Sequence, residues 1–169
     1  AELYGVPREK ILQFNKRAGI GELKIGSSLV IPGAKPKKSL SSVAIANLPS
    51  YPGYFIIPTT GWNWGQLHHY NAIDFANACG TPIYASAEGL VVAEKSYGYN
   101  DGYGRFIDIK HPNGVTTRYA HAQKNAASVG DYVLQGDLIA YIGNTGKTHG
   151  VTGCHLHFEM RGARNPFSK

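Results

Sequence analysis

From residue 51 onward short apolar-rich runs, some alternating with polar residues, are set between Gly-rich turns, the pattern of strands. The runs predict strands over Ile83–Ser86, Leu90–Glu94, Arg105–Lys110, Val115–Tyr119, Leu138–Ile142 and His155–Met160. The segment Asn71-Ala72-Ile73-Asp74-Phe75-Ala76 also reads as apolar strand, with one carboxylate set into it. His111-Pro112-Asn113-Gly114 has the composition of a hairpin turn. No helix-period run of useful length follows residue 51. Short strands separated by Gly-rich turns predict a mainly β domain, an antiparallel sandwich or open barrel. The front of the chain differs. Ala1–Tyr4 reads as the tail of a helix stopped by Gly5. A second helix covers Glu9–Asn15 behind Pro7, with Ile11, Leu12 and Phe14 apolar. A short strand, Leu29-Val30-Ile31, is closed by Pro32-Gly33. Residues 34–50 are Lys/Pro/Ser-rich and read as a linker. The expected organisation is a small α+β module over 1–33, a linker over 34–50 and a β domain over 51–169.

Composition refines this picture. The 169 residues, 43% hydrophobic with 21 glycines, suit a folded, turn-rich chain rather than a disordered one. No apolar run approaches ~18 residues, so no helical membrane span is expected. No signal peptide is visible, and the chain opens mid-pattern at Ala1, as an excised piece would. The net charge of +6 is uneven. Residues 1–33 carry five Lys/Arg against three acids, residues 34–50 three Lys, and residues 51–169 nine against eight. A basic front suits an anionic polymer or simply solubilises a linker. The nearly neutral β region has no aromatic–basic stripe, which argues against nucleic acid as a partner.

The candidate chemistry lies in the histidines. In an extended strand His155 and His157 of His155-Leu156-His157 share a face, roughly 7 Å apart, while Leu156 points the other way. Asp74 has apolar flanks, and a carboxylate there is costly unless paired or ligated. His68 and His69 precede it by six and five positions. His121 ends the strand Thr117-Arg118-Tyr119-Ala120-His121. Together these supply two imidazoles and a carboxylate for zinc, with a fourth position left for water. His111 reads as a turn residue and His149 as part of a flexible loop, Gly143–Gly150. Cys79 lies near Asp74 and Cys154 near His157. If those ligands converge the sulfurs converge too, and a Cys79–Cys154 disulfide would place the chain in an oxidising compartment.

These motifs, taken in order, resemble the lysostaphin/LytM-type zinc endopeptidases of bacterial peptidoglycan. The matching text includes Ile73-Asp74-Phe75-Ala76, Gly80-Thr81-Pro82-Ile83-Tyr84-Ala85, Ala87-Glu88-Gly89 and Gly102-Tyr103-Gly104. It continues through Ile109–Gly114, Thr117–His121, Val129–Val133, Ile142–Gly146 and His155–Glu159. The resemblance implies the family's duplicated-hybrid-motif-like β fold and one Zn2+. It further implies Asp74 and His157 as metal ligands and His121 and His155 as catalytic, the two sharing the base and oxyanion roles. The family motif H-x-x-x-D would place the first ligand at Tyr70, a poor zinc ligand. His68 is favoured instead, with His69 as the alternative. Tyr103 and Asn144 are expected at the substrate, and Trp62, Trp64, Tyr97 and Tyr99 in the cleft walls. Glu159 reads as structural or as support for a ligand, because no H-E-x-x-H is present.

Separately, Tyr4–Pro32 resembles the last two-thirds of a LysM module, which implies contact with N-acetylglucosamine-containing glycan. The expected partner is therefore bacterial peptidoglycan and the expected location extracytoplasmic. Two rival readings remain. One is a catalytically silent peptidoglycan-binding or amidase-activating module. The other is a lipoyl- or biotin-carrier hairpin over Val129–Gly143, in which Gln135-Gly136 stands where the modified lysine would sit.

Overall fold

The structure is a computed structural model that describes residues 7–15, 45, 47–69 and 71–169. The chain divides into two compact units, Ala1–Lys38 and Ser39–Lys169. In the first, one helix is described, α1 (Arg8–Phe14), with Pro7 as its N-cap. Proline suits a helix entry because its missing N–H would have no intrahelical partner there. At the other end Asn15 returns both its backbone N–H and its side-chain amide to the Ile11 carbonyl, at 3.2 and 2.8 Å. The expected strand Leu29–Ile31 and helix tail Ala1–Tyr4 lie outside the described residues, as does most of the linker.

The described residues of the second unit form ten strands. They are β1 (Trp62–Asn63), β2 (Ala72–Ala76), β3 (Pro82–Tyr84), β4 (Gly89–Lys95), β5 (Phe106–Lys110), β6 (Thr116–Ala120), β7 (Ala122–Asn125), β8 (Tyr132–Val133), β9 (Leu138–Ile142) and β10 (His155–Arg161). Seven form one sheet in the order β1-β2-β10-β6-β5-β4-β8, and three form a second in the order β3-β9-β7. Every pairing is antiparallel. The sheets are open, in agreement with the expected sandwich or open barrel. β1, β7 and β8 escape a period-two reading because each has at most four residues, too few to show alternation. They are strands because longer neighbours pair with them.

Side chains alternate across each strand, so each strand feeds two environments. Ile73 and Phe75 of β2, Ile107 and Ile109 of β5, Tyr119 of β6 and Leu156, Phe158 and Met160 of β10 face inward. There they meet Ile83, Ile139 and Ile142 of the small sheet in one core cluster. Tyr119 carries its hydroxyl into this core fully buried and satisfies it on the Ser86 N–H at 2.9 Å and the Ser86 and Thr117 hydroxyls at 2.8 and 3.1 Å. His111, expected as a turn residue, closes the β5–β6 hairpin with its ring buried between the Glu88 carbonyl at 2.7 Å and the Thr117 hydroxyl at 2.8 Å.

The C-terminal tail folds back under the same sheet. Phe167 packs on Phe75 and Phe158 with ring centroids 6.0 and 5.6 Å apart. Asn165 and Asn71 bond to each other through N–H···Oδ1 and Nδ2–H···O contacts of 3.2 Å each.

Cys79 and Cys154 are joined in a disulfide, with Cα atoms 5.2 Å apart. The β2–β10 register explains the pairing. His155 lies opposite Ala76, so the residue before β10 meets the loop just after β2. The bond ties that loop to the start of the strand that bears both histidines.

Phe158 is fully buried against Phe75, Tyr119 and Phe167. Phe158→Ala is expected to lower unfolding stability by about 3–5 kcal/mol, read as a shift in urea midpoint at unchanged slope.

Candidate active site

The outer face of the large sheet carries the polar half of the same alternation. Asp74 of β2 lies directly opposite His157 of β10, and Arg118 of β6 lies opposite both Glu159 of β10 and Asp108 of β5. His68 joins this face by a tight turn. Its backbone exchanges both hydrogen bonds with Ala72, each 3.0 Å. His68 therefore lies opposite Ala72 and beside Asp74, two residues further along. Backbone at positive φ makes the turn, with φ 45° at His69 and 67° at Asn71. Asn71 tolerates that region and is held by its amide, which donates to the Met160 and Ala163 carbonyls at 2.9 and 2.7 Å. This is how a histidine six positions before the aspartate reaches it.

Three side chains meet there. His68 Nε2 lies 3.0 Å and His157 Nδ1 3.1 Å from the same Asp74 oxygen, Oδ1. One ligand atom from each of His68, Asp74 and His157 falls within 4.8 Å of the other two. His69 stands outside this group and touches the His68 ring edge-on, centroids 5.2 Å apart. Despite the 3.0 Å approach, His68 Nε2 is buried without an aligned hydrogen bond. A nitrogen lone pair directed beside a carboxylate oxygen rather than at a donor suits a cation held between them. Bonds of about 2.0–2.1 Å to one tetrahedral ion place ligand atoms roughly 3.3 Å apart, close to these spacings. The two imidazoles and one carboxylate fit a borderline metal such as zinc.

His155 and His121 stand beside this group. His155 Nε2 is 3.9 Å from Asp74 Oδ2. The His121 ring lies 4.6 Å from that of His155 and 5.7 Å from that of His157. His121 sits at φ 62°, a left-handed conformation rare for a residue with a side chain. Its backbone N–H donates to the Tyr103 carbonyl at 2.9 Å and its Nδ1 to the Thr145 carbonyl at 2.8 Å. His155 Nδ1 similarly donates to the Gly153 carbonyl at 3.0 Å. A carbonyl only accepts, so in the neutral form each ring keeps its proton on Nδ1 and a lone pair on Nε2.

The electrostatics follow from burial and these partners. Burial would raise the Asp74 carboxyl, but the His157 and His68 rings outweigh it and hold the group well below the usual carboxylate range. Burial, followed by the neighbouring His155 and His157 rings, outweighs the Thr145 carbonyl and brings His121 down to about 4. For His157, burial is overcome by Asp74 and Glu159, and its pKa rises. Tyr103 is pushed up to about 12 by burial and by Glu159, to which its hydroxyl donates at 2.8 Å.

Asn144 is exposed and donates to the Thr152 carbonyl at 3.1 Å, bracing its own loop. His149 is exposed in that loop. Trp62 and Trp64 are exposed, with rings edge-on at 6.2 Å. Trp64, Leu67, His68 and Asp74 line a cavity of about 200 Å³. The Thr145 and Gly153 carbonyls that orient the two histidines carry no side-chain signal by which sequence could reveal them.

The family model for Peptidase family M23 matches residues 68–168. The chain belongs to peptidase family M23. The match opens at His68, the residue that the turn returns to Asp74. The Peptidoglycan DD-endopeptidase ShyC of Vibrio cholerae is 40% identical over 96 residues, 57% of this M23 chain and 21% of that protein. The DD-carboxypeptidase/endopeptidase Mpg of Neisseria meningitidis is 41% identical over the same length, covering 57% of this chain and 20% of that one. The chain thus spans about a fifth of these relatives. A zinc containing peptidase from Vibrio cholerae has a related structure, with TM-score 0.50 and 30% identity over 72% of this chain and 38% of that one.

The buried His121 gives a stability term with a definite sign. Its folded-state pKa, about 4, lies below its ordinary value. The stabilisation is therefore complete above about pH 6.5 and is lost as pH falls toward 4. In chelator-treated protein, wild type should lose up to about 3 kcal/mol more than His121→Asn across that window. Urea unfolding at each pH measures the difference. Asn is chosen because it tolerates the positive φ.

Proposed function

We propose that residues 51–169 form a zinc-dependent endopeptidase domain that hydrolyses peptide bonds in the cross-links or stem peptides of bacterial peptidoglycan. The convergence of His68, Asp74 and His157 beside His121 and His155 carries the reading. Family membership and relatives named as peptidoglycan DD-endopeptidases support it. His68 Nε2, Asp74 Oδ1 and His157 Nδ1 are the metal ligands of the proposal, with a fourth position open to water or substrate. The zinc content of the related Vibrio cholerae peptidase supports the choice of ion.

Bound zinc supplies a water acidified to a pKa of about 7 and polarises the scissile carbonyl. The protein supplies the proton handling. Outside the ligand set, His155 offers an Nε2 lone pair 3.9 Å from Asp74 Oδ2. It accepts the proton of the attacking water and returns it to the leaving amine, while the Asp74 carboxylate steadies the charged ring between the two events. His121, buried and neutral at pH 7 with its proton on Nδ1, presents a second Nε2 lone pair. A lone pair orients the attacking water by accepting from it. It does not donate to an oxyanion, so this reading gives His121 the water-orienting role. Trp62 and Trp64 beside the cavity, together with Tyr103 and Asn144, line the course proposed for the peptide. The disulfide and a peptidoglycan substrate both suit an extracytoplasmic location.

Purified sacculi digested with this protein should release peptides bearing new N-termini, identified by mass spectrometry. The relatives' names point to the D,D cross-link as the bond cut. His155→Ala should lower the rate by about 10²–10⁴-fold while retaining zinc. Absence of release by metal-loaded wild type would remove the hydrolase reading in favour of a binding module.

The ligand set has its own check. His68→Ala should lose stoichiometric zinc, measured by elemental analysis after dialysis, whereas His69→Ala should retain it. The reverse result would move the ligand to His69.

A further inference from the structure

Beyond His157 the outer face of β10 carries a second carboxylate that the ligand set does not use. Glu159 is 1% exposed. Its Oε1 accepts from Arg161 Nε at 2.6 Å, and its Oε2 accepts from the Tyr103 hydroxyl at 2.8 Å. Arg161 also reaches Asp108 at 3.3 Å, and Arg118 grips Asp108 through two bonds of 2.7 Å. The Arg118 guanidinium lies over the Tyr103 ring, 4.3 Å from its centroid. Two acids and two arginines thus form a network with no net charge, pinned to a tyrosine. Such networks are poor devices for stability, since apolar side chains of similar volume often serve as well or better. This one fixes the position of a single carboxylate. Glu159 is held from two sides, and its Oε2 lies 3.8 Å from His157 Nε2.

His121, His155 and His157 divide by which nitrogen they present to the site. His121 and His155 give Nδ1 to backbone carbonyls and turn Nε2 to the site. His157 does the opposite, with Nδ1 toward Asp74 and His68 and Nε2 buried without a hydrogen-bond partner. If Nδ1 gives its lone pair to a cation, the neutral ring carries its one proton on Nε2, and that proton requires an acceptor. Glu159 Oε2 faces it, and a closure of about 1 Å brings the pair to hydrogen-bond distance. Glu159 would then do for His157 what the Thr145 and Gly153 carbonyls do for the other two rings.

We propose that Glu159 is a positioning residue for the metal centre, accepting the Nε2 proton of His157 and fixing the tautomer that presents Nδ1 to the ion. This rests on the ligand set proposed above. Carboxylates in this position are worth about 10–100-fold in metal affinity. The full chain, stripped with chelator and reloaded with zinc alone, provides the test. Long-range 1H–15N NMR of zinc-loaded wild type should show the His157 proton on Nε2, slow to exchange. Competition with a chromophoric chelator should show Glu159→Ala binding zinc about 10–100-fold more weakly. Glu159→Gln keeps a carbonyl acceptor and should lose less. A His157 proton on Nδ1, or zinc affinity of Glu159→Ala within about twofold of wild type against that expected loss, overturns the proposal. Should the alanine variant not fold, the wild-type spectrum decides alone. Failure of wild type itself to bind zinc would bring down the ligand set and, with it, the role of Glu159. Equal binding by wild type and variant would remove the role of Glu159 only.

Discussion

The register of β10 between β2 and β6 is the constraint on which the rest depends. Leu156, Phe158 and Met160 face inward and are fully buried, while His155, His157 and Glu159 face the other way. A slip of one residue would drive the imidazoles into the core and turn Leu, Phe and Met outward. Core packing and site geometry are therefore set by one alignment. The apolar half of the strand supplies the energy that holds the polar half in place. The same register brings Asp74 opposite His157 and Arg118 opposite Glu159, so adjacent strands deliver the partners without any loop having to find them.

Around this rigid strip the remaining groups arrive through unusual backbone. His121 and Asn71, both at positive φ, stand at the ends of strands where the chain turns sharply. Their hydrogen bonds, to Tyr103 and Thr145 for His121 and to Met160 and Ala163 for Asn71, offset that strain. Gly146 shows the same crowding from the other side. It sits at φ 79°, and a Cβ there would overlap the backbone of Gly102 and Gly104. That close approach keeps the Thr145 carbonyl against His121. Loop and strand are locked as one unit, which a site needing fixed proton positions requires.

The electrostatic design puts one carboxylate among imidazoles. Asp74 alone would be destabilised by burial, yet it is held ionised by His68 and His157. His157 Nδ1 bonds its Oδ1 at 3.1 Å, while His68 Nε2 lies 3.0 Å from the same oxygen without an aligned bond. One ligand atom from each of the three groups lies within 4.8 Å of the others, an arrangement that suits a bound cation. The outer ring of Glu159, Arg161, Asp108 and Arg118 carries the same logic one layer further, balancing charge so that no member is left unpaired.

The sequence by itself determined the β class, the longer strands and the shared face of His155 and His157, because these follow from a period of two along one segment. Leu138–Ile142 is legible instead as a short apolar run between turns, with bounds that match β9. The short strands β1, β7 and β8 are not legible, since their structure is imposed by neighbours. Asp74 stood out as a carboxylate in apolar text. Which histidine meets it was left open by spacing, because a left-handed turn at His69 and Asn71 shortens the path in a way residue counting does not show. The partners of His121 and His155 are backbone carbonyls, which every residue has and no sequence marks. The Glu159 network joins β5, β6 and β10 with Tyr103 across long separations, so only tertiary structure could assemble it. Local period is written in the chain one segment at a time, whereas the meeting of distant segments depends on how sheets register and turn.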